Sequence, residues 1–160
     1  ELTYLGHVIK EGQLRTDPEK VAAIQEMQPP RNLKNLQSFL GMIGWYRKFI
    51  PNFHDIAQPL LAKLRKDDKS PWETHLPKSE QGKAFEKLKA TLLKSPILQL
   101  PDFNKEFILF TDASNNGSGA VLTQNHNGYD LPVAYFSKTW NASGKSQLTN
   151  EQWITHQKGG

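Results

Sequence analysis

Residues 107–122, FILFTDASNNGSGAVL, restrict the fold more than any other part of this 160-residue chain. An apolar run ends in Asp112, an Asn-Asn-Gly turn follows, and a second apolar run opens at Gly119. Apolar runs joined by a tight, glycine-bearing turn read as a β-hairpin. A hairpin fixes strand register, so it would lift the Asp112 carboxylate to a strand end in a defined position. A carboxylate held there can ligate a metal ion, or it can cap the Ser114–Gly117 turn beside it. The first use needs company, because a two-metal nuclease site gathers several acids round ions that activate water and stabilise the leaving oxygen.

The hairpin predicts three antiparallel strands, at 106–112, 118–125 and 131–138, with His126-Asn127-Gly128 as the second turn. Upstream the pattern is helical. Asp17-Pro18-Glu19 starts a helix carrying Val21, Ala22, Ile24 and Met27, which Pro29-Pro30 ends. Asn32 caps a second helix over 33–49, broken by Pro51-Asn52-Phe53, and a third runs over 55–66. Residues 67–78 read as a polar, proline-bearing linker. Ser79 caps a fourth helix, 80–94, with Ala84, Phe85, Leu88 and Leu92 as its apolar stripe. Residues 3–9 read as a strand, Glu11-Gly12 as a turn and Gln13–Arg15 as a short return; 147–157 reads as the start of a last helix. The sum is an α+β chain.

Composition excludes some functions. There is no cysteine, so disulfide frameworks and thiolate metal sites are out. No apolar run approaches the roughly 20 residues of a membrane-spanning helix, and ELTYLGHVIK lacks the regions of a signal peptide. This fits an intracellular chain. The formal charge of +4 is unevenly spread: residues 31–66 hold Arg31, Lys34, Arg47, Lys48, Lys63, Arg65 and Lys66 against Asp55 alone. A local basic field favours phosphate backbones, although a solvated helical face has the same composition.

The second helix carries two stripes. Leu36, Phe39, Leu40, Ile43, Tyr46 and Ile50 form a broad apolar side, and Lys34, Gln37, Gly41, Trp45 and Lys48 lie roughly opposite. A mid-helix glycine costs about 1 kcal/mol relative to alanine, and an outward tryptophan leaves apolar area in water. Both make sense if a polymer docks there: Gly41 admits its backbone, Gln37 reaches base edges or sugars, Trp45 stacks on sugars and the lysines meet phosphates. The competing reading makes Gly41 a close helix crossing and Trp45 a core residue; the pattern leaves both open.

Acidic partners for Asp112 are few. Asp102 precedes the first strand of the hairpin, Asp130 falls in a turn, and Glu151 in the last helical segment is the one able to return over the sheet. His7, His54, His75, His126 and His156 show no paired metal-ligand spacing.

Several segments together resemble the Pol polyprotein of gypsy-type LTR retrotransposons, relatives of retroviral reverse transcriptases. They are LTYLGHVIKEGQLRTDPEKVAAI, LQSFLGMIGWYRKFIPNFHDIAQPLLAKL, AFEKLKATLLKSPILQLPDFNKEFILFTDASNNGSGAVLTQ and LPVAYFSKTWN, in family order across most of 2–141. The resemblance implies the palm end with its primer-grip hairpin (Leu5, Gly6, His7) in 1–16, a helical thumb in 17–66, a connecting segment in 67–105, and an incomplete RNase H-like domain in 106–160. It places Gln37, Gly41 and Trp45, with Lys34 and Lys48 beside them, along a template–primer minor groove. Asp112 stands where the first metal-binding aspartate belongs, with Mg2+ as the cofactor of the parent enzyme. The chain departs from the family near Glu151: the metal-binding glutamate's place is taken by Trp153. Glu151, two residues away, would face about 200° round a helix. The polymerase aspartates and the later nuclease acids are not in this sequence.

The expectation is a helical thumb bundle followed by a partial RNase H-like sheet of three antiparallel strands. It would bind RNA/DNA hybrid or duplex, within the cytoplasm, a virus-like particle or the nucleus, and alone would neither polymerise nor cleave nor hold magnesium stably. The rest of the Pol polyprotein or a second copy are the other expected partners. The alternative is a domesticated, retroelement-derived interaction scaffold without catalysis.

Overall fold

Tight turns shape the β-structure. In the computed structural model, which describes residues 1–115 and 117–139, Leu5 and Gly6 both take positive φ, at 50° and 77°. Two such residues between the paired Tyr4 and His7 make a type I′ turn, whose twist matches that of the flanking strands. The expected strand over 3–9 is therefore two strands, β1 (Leu2–Tyr4) and β2 (His7–Lys10). Leu5 hid the turn because an apolar residue rarely occupies a left-handed position. Glu11-Gly12 and Asn127-Gly128 repeat this geometry. The first leads into β3 (Gln13–Thr16).

Three of the four helices begin at a side-chain cap. The Asp17 carboxylate accepts from Glu19 N–H at the head of α1 (Pro18–Glu26). Asn32 Oδ1 accepts from Asn35 N–H at 2.8 Å to open α2 (Leu33–Gly44). That helix stops five residues short of the predicted end. Tyr46 N–H bonds back to Ile43 O, the chain tightens into a 3-10 turn at Arg47–Phe49, and Pro51 forbids continuation. Asn52, at φ 54°, then turns the chain into α3 (Phe53–Leu61), which passes into a 3-10 turn at Ala62–Leu64. Ser79 Oγ accepts from Gly82 N–H to start α4 (Glu80–Leu93).

One apolar core joins all four helices. Val21 and Ile24 from α1, Leu36, Phe39 and Ile43 from α2, Phe53, Ala57 and Leu60 from α3, and Phe85, Leu88 and Leu92 from α4 share it. The Phe39 and Phe85 rings lie 4.8 Å apart at a tilt of 52°, a contact worth about 0.5–1.5 kcal/mol beyond simple burial. The segment after α4 adds a strand that the sequence did not signal, β4 (Ile97–Gln99), which pairs Leu98 with Leu14 of β3 and sends Leu98 into the same core. The first sheet thus runs β1-β2-β3-β4.

Part of the basic stretch is consumed internally. The Lys63 side chain is 3% exposed. Its ammonium donates to the Ser70 carbonyl and hydroxyl, pairs with Asp68 and lies over the Trp72 ring, fastening the 67–72 loop. Arg31, Lys34, Arg65 and Lys66 stay exposed.

The second sheet is β5 (Ile108–Ala113), β6 (Gly117–His126) and β7 (Tyr129–Thr139), antiparallel and in that order. The architecture is α+β, a helical bundle followed by a three-stranded sheet. The predicted helix at 147–157, with Glu151, lies outside the described residues.

Candidate nucleic-acid interface

Along α2, Lys34, Gln37 and Gly41 are exposed, as is Trp45 at the helix end; Lys48, in the following 3-10 turn, is half-buried. A side chain at Gly41 would meet nothing within 4 Å. Among the described residues no helix crosses there, so packing between them does not account for the glycine. Trp45 is 52% exposed and so is no core residue. Between this side of α2 and the β1–β2 turn lies a groove of about 510 Å³, lined among others by Leu5, Gly6, Lys20, Gln37, Gly41 and Trp45.

Trp45 does more than offer a ring. Its indole N–H donates to Leu5 O at 2.7 Å, and the next residue, Tyr46, donates its hydroxyl to Gly6 O at 2.5 Å. Burial pushes the Tyr46 phenol above its ordinary pKa of 10.0, so it stays a donor. His7 packs beside both rings, with centroids 6.1 Å from Trp45, 5.4 Å from Tyr46 and 5.8 Å from Phe49. Its Nδ1 lies 3.1 Å from Leu5 O, while burial and then the Lys48 charge lower its pKa. The neutral ring therefore donates through Nδ1. Sequence reasoning placed Tyr46 in the core and missed its hydroxyl. The available signal was a phenol where phenylalanine would fill the same space.

Asp112 is exposed near the end of β5. The adjoining turn is closed by Ser114, whose N–H and hydroxyl both reach Gly117 O, so Asp112 is not the turn's cap. Asp112 pairs with Gly119, and Gly119 with Ser137, making one row across the sheet. The bundle's elbow covers the other two members. A Cβ on Gly119 would lie 2.6 Å from Asn52 Oδ1. His54 N–H donates to Ser137 Oγ at 3.0 Å, and Arg47 donates to Ser137 O and contacts the His54 ring. Burial, then Arg47, lower the His54 pKa. Asp102 caps its own turn beside Gln124 and Asp130 accepts from Asn125, both at the far end of β6 from Gly119, the partner of Asp112. Among the described residues no three His, Asp or Glu side chains gather in a cluster able to hold a metal ion. These residues by themselves do not fit a magnesium pair, and Glu151 lies outside them. No helix among them is long and apolar enough to cross a membrane.

Residues 78–155 match the family described as an RNase H-like domain found in reverse transcriptase. Across 88% of its length the chain is 45% identical to the retrovirus-related Pol polyprotein from transposon 297 of Drosophila melanogaster. Across 95% it is 38% identical to that from transposon 412 of the same fly. It spans only 13% and 12% of those polyproteins. A foamy viral protease-reverse transcriptase in complex with RNA/DNA hybrid superposes with a TM-score of 0.71 at 26% identity, over 89% of this chain and 19% of that one. The same viral protein in complex with dsDNA gives 0.77 at 24% identity over 96% and 33%, a likeness of fold alone. The fold is thus one found within reverse transcriptases. Residues 78–155 belong to the RNase H-like domain family found in reverse transcriptase, and over most of its length the chain is similar to a segment of the retrovirus-related Pol polyproteins of gypsy-type LTR elements.

Proposed function

We propose that the first half of this chain is a duplex grip: a reverse-transcriptase thumb whose α2 follows the minor groove of a template–primer, with the Leu5–His7 hairpin beside the primer end. Gly41 carries the reading. It is a mid-helix glycine facing open space, flanked along the helix by Gln37 and Trp45 and bordering a groove. A helix tolerates such a residue when something outside must come close. Lys34 and Lys48 would supply phosphate contacts. RNA-directed DNA synthesis and hybrid cleavage are assigned to the larger polyprotein, with Asp112 as one ligand of its magnesium site.

Fluorescence anisotropy with a labelled RNA/DNA hybrid tests this. Affinity should fall with salt, and Lys34→Gln with Lys48→Gln should shrink the log–log slope by about 1.8, from roughly 0.9 per phosphate contact. Gln37→Ala with Trp45→Ala should weaken binding at every salt concentration. Absence of binding by the unaltered chain at low salt would refute the proposal.

A further inference from the structure

The β1–β2 turn has little to hold it in place. β1 is three residues long and, among the described residues, pairs only with β2. Leu2, Tyr4 and Leu5 are 59%, 61% and 63% exposed, so burial contributes little to fixing the tip. A short exposed edge strand of this kind frays. Yet both carbonyls of the turn are engaged from outside the sheet, by two consecutive residues just past the end of α2: the Trp45 indole at Leu5 O and the Tyr46 hydroxyl at Gly6 O. Access is close. A Cβ at Gly6 would lie 2.9 Å from Trp45 Nε1, so the approach depends on glycine at that position. The His7 ring fills the remaining angle against Trp45, Tyr46 and Phe49.

We propose that Trp45 and Tyr46 are positioning residues that lock the Leu5–His7 turn to the end of α2, so that the turn and the open side of the helix move as one body. A duplex that seats on α2 then also sets the turn. This second statement rests on the duplex-grip reading; the first stands without it. Trp45 has two roles that can be separated: its ring borders the groove, and its N–H fixes the turn.

Hydrogen exchange on the full chain separates them. Trp45→Phe with Tyr46→Phe keeps an aromatic ring at each position, a phenyl in place of the larger indole at 45, and deletes both donors. Amides of residues 2–10 should then exchange about tenfold faster or more, as expected for two lost hydrogen bonds, while α4 amides keep their rate. Unchanged exchange over 2–10 would overturn the lock. If α4 also loosens, Tyr46→Phe alone, which removes only the bond to Gly6 O, decides the question in the same way. With a saturating RNA/DNA hybrid, α2 and residues 2–10 should slow together in the unaltered chain, and only α2 in the double variant. Equal slowing of 2–10 in both proteins would overturn the coupling. No slowing of α2 in the unaltered chain would sink the duplex reading instead, while the ligand-free comparison still judges the lock.

Discussion

Gly41→Ala should raise the stability of this protein and lower its affinity for a duplex. The methyl group would meet no atom within 4 Å, so it brings no steric cost in the free protein. It removes the conformational freedom that glycine gives the unfolded chain, worth about 1 kcal/mol in a helix interior. For a chain of this length that is a rise of roughly 2–4 °C in Tm. In the complex the same methyl group would stand where the partner's backbone approaches. Forcing a methyl into a packed contact costs about 1–3 kcal/mol, which corresponds to about five- to 150-fold in Kd. Gly44→Ala is the internal control: a side chain there also meets nothing within 4 Å, and Gly44 is not among the groove residues. It should stabilise comparably and leave binding alone. Thermal unfolding followed by circular dichroism and hybrid titration by anisotropy read the two effects. A fall in Tm for Gly41→Ala, or an affinity equal to that of Gly44→Ala, would show the glycine is not a docking surface.

Two more predictions concern the contact between bundle and second sheet, and pH. Gly119→Ala should destabilise by about 1–3 kcal/mol, because its Cβ would sit 2.6 Å from Asn52 Oδ1. Asn52→Gly, at a left-handed position that glycine accepts, should recover most of the loss in a double-variant cycle by urea unfolding; strictly additive effects would mean the two do not touch. His7 and His54 both have folded pKa values below the ordinary 6.5. The unfolded chain therefore takes up these protons first. Their stabilising contribution is complete above about pH 6.5 and is lost as pH falls through the folded values. Tm should accordingly be flat from pH 8 to near 6.5 and then decline, with a shallower decline in His7→Gln and His54→Gln; a Tm that rises on acidification refutes the assignment.

The helices were legible because their signals are local. Asp17, Asn32 and Ser79 are capping residues whose side chains bond within three positions, and their three helices start where the caps predict, whereas α3, expected over 55–66, has no side-chain cap and spans Phe53–Leu61. The three-stranded sheet was legible through its alternating runs and its Asn127-Gly128 turn. What failed was non-local. β4 is three residues long and becomes a strand only because Leu98 meets Leu14, more than 80 positions away. The glycines make the same point. Gly41 and Gly82 are both helical, yet a Cβ at Gly82 would lie 2.0 Å from the Leu76 carbonyl oxygen, while one at Gly41 faces open space. Nothing near either residue in the chain distinguishes a glycine forced by its own loop from one left bare for a visitor. Lys63 was counted with the surface cations, and only the fold reveals that it is tied inside. The pattern left Trp45 open between an outward and a core position, which only its exposure in the fold decides, and its donated N–H depends on a carbonyl forty positions earlier.

The strand β4 bears on how the molecule could be divided. A piece ended at residue 66, where the polar stretch begins, would lose Phe85, Leu88, Leu92 and Leu98 from the shared interior and would strip β3 of its outer neighbour. Phe39 would be left facing water on the side now covered by Phe85. A piece ended near residue 101 keeps both. A cut there would instead uncover the elbow at Arg47, Asn52 and His54, which now meets Gly119 and Ser137, so a shortened chain that runs through Leu100 keeps the helical interior and the first sheet but loses that contact.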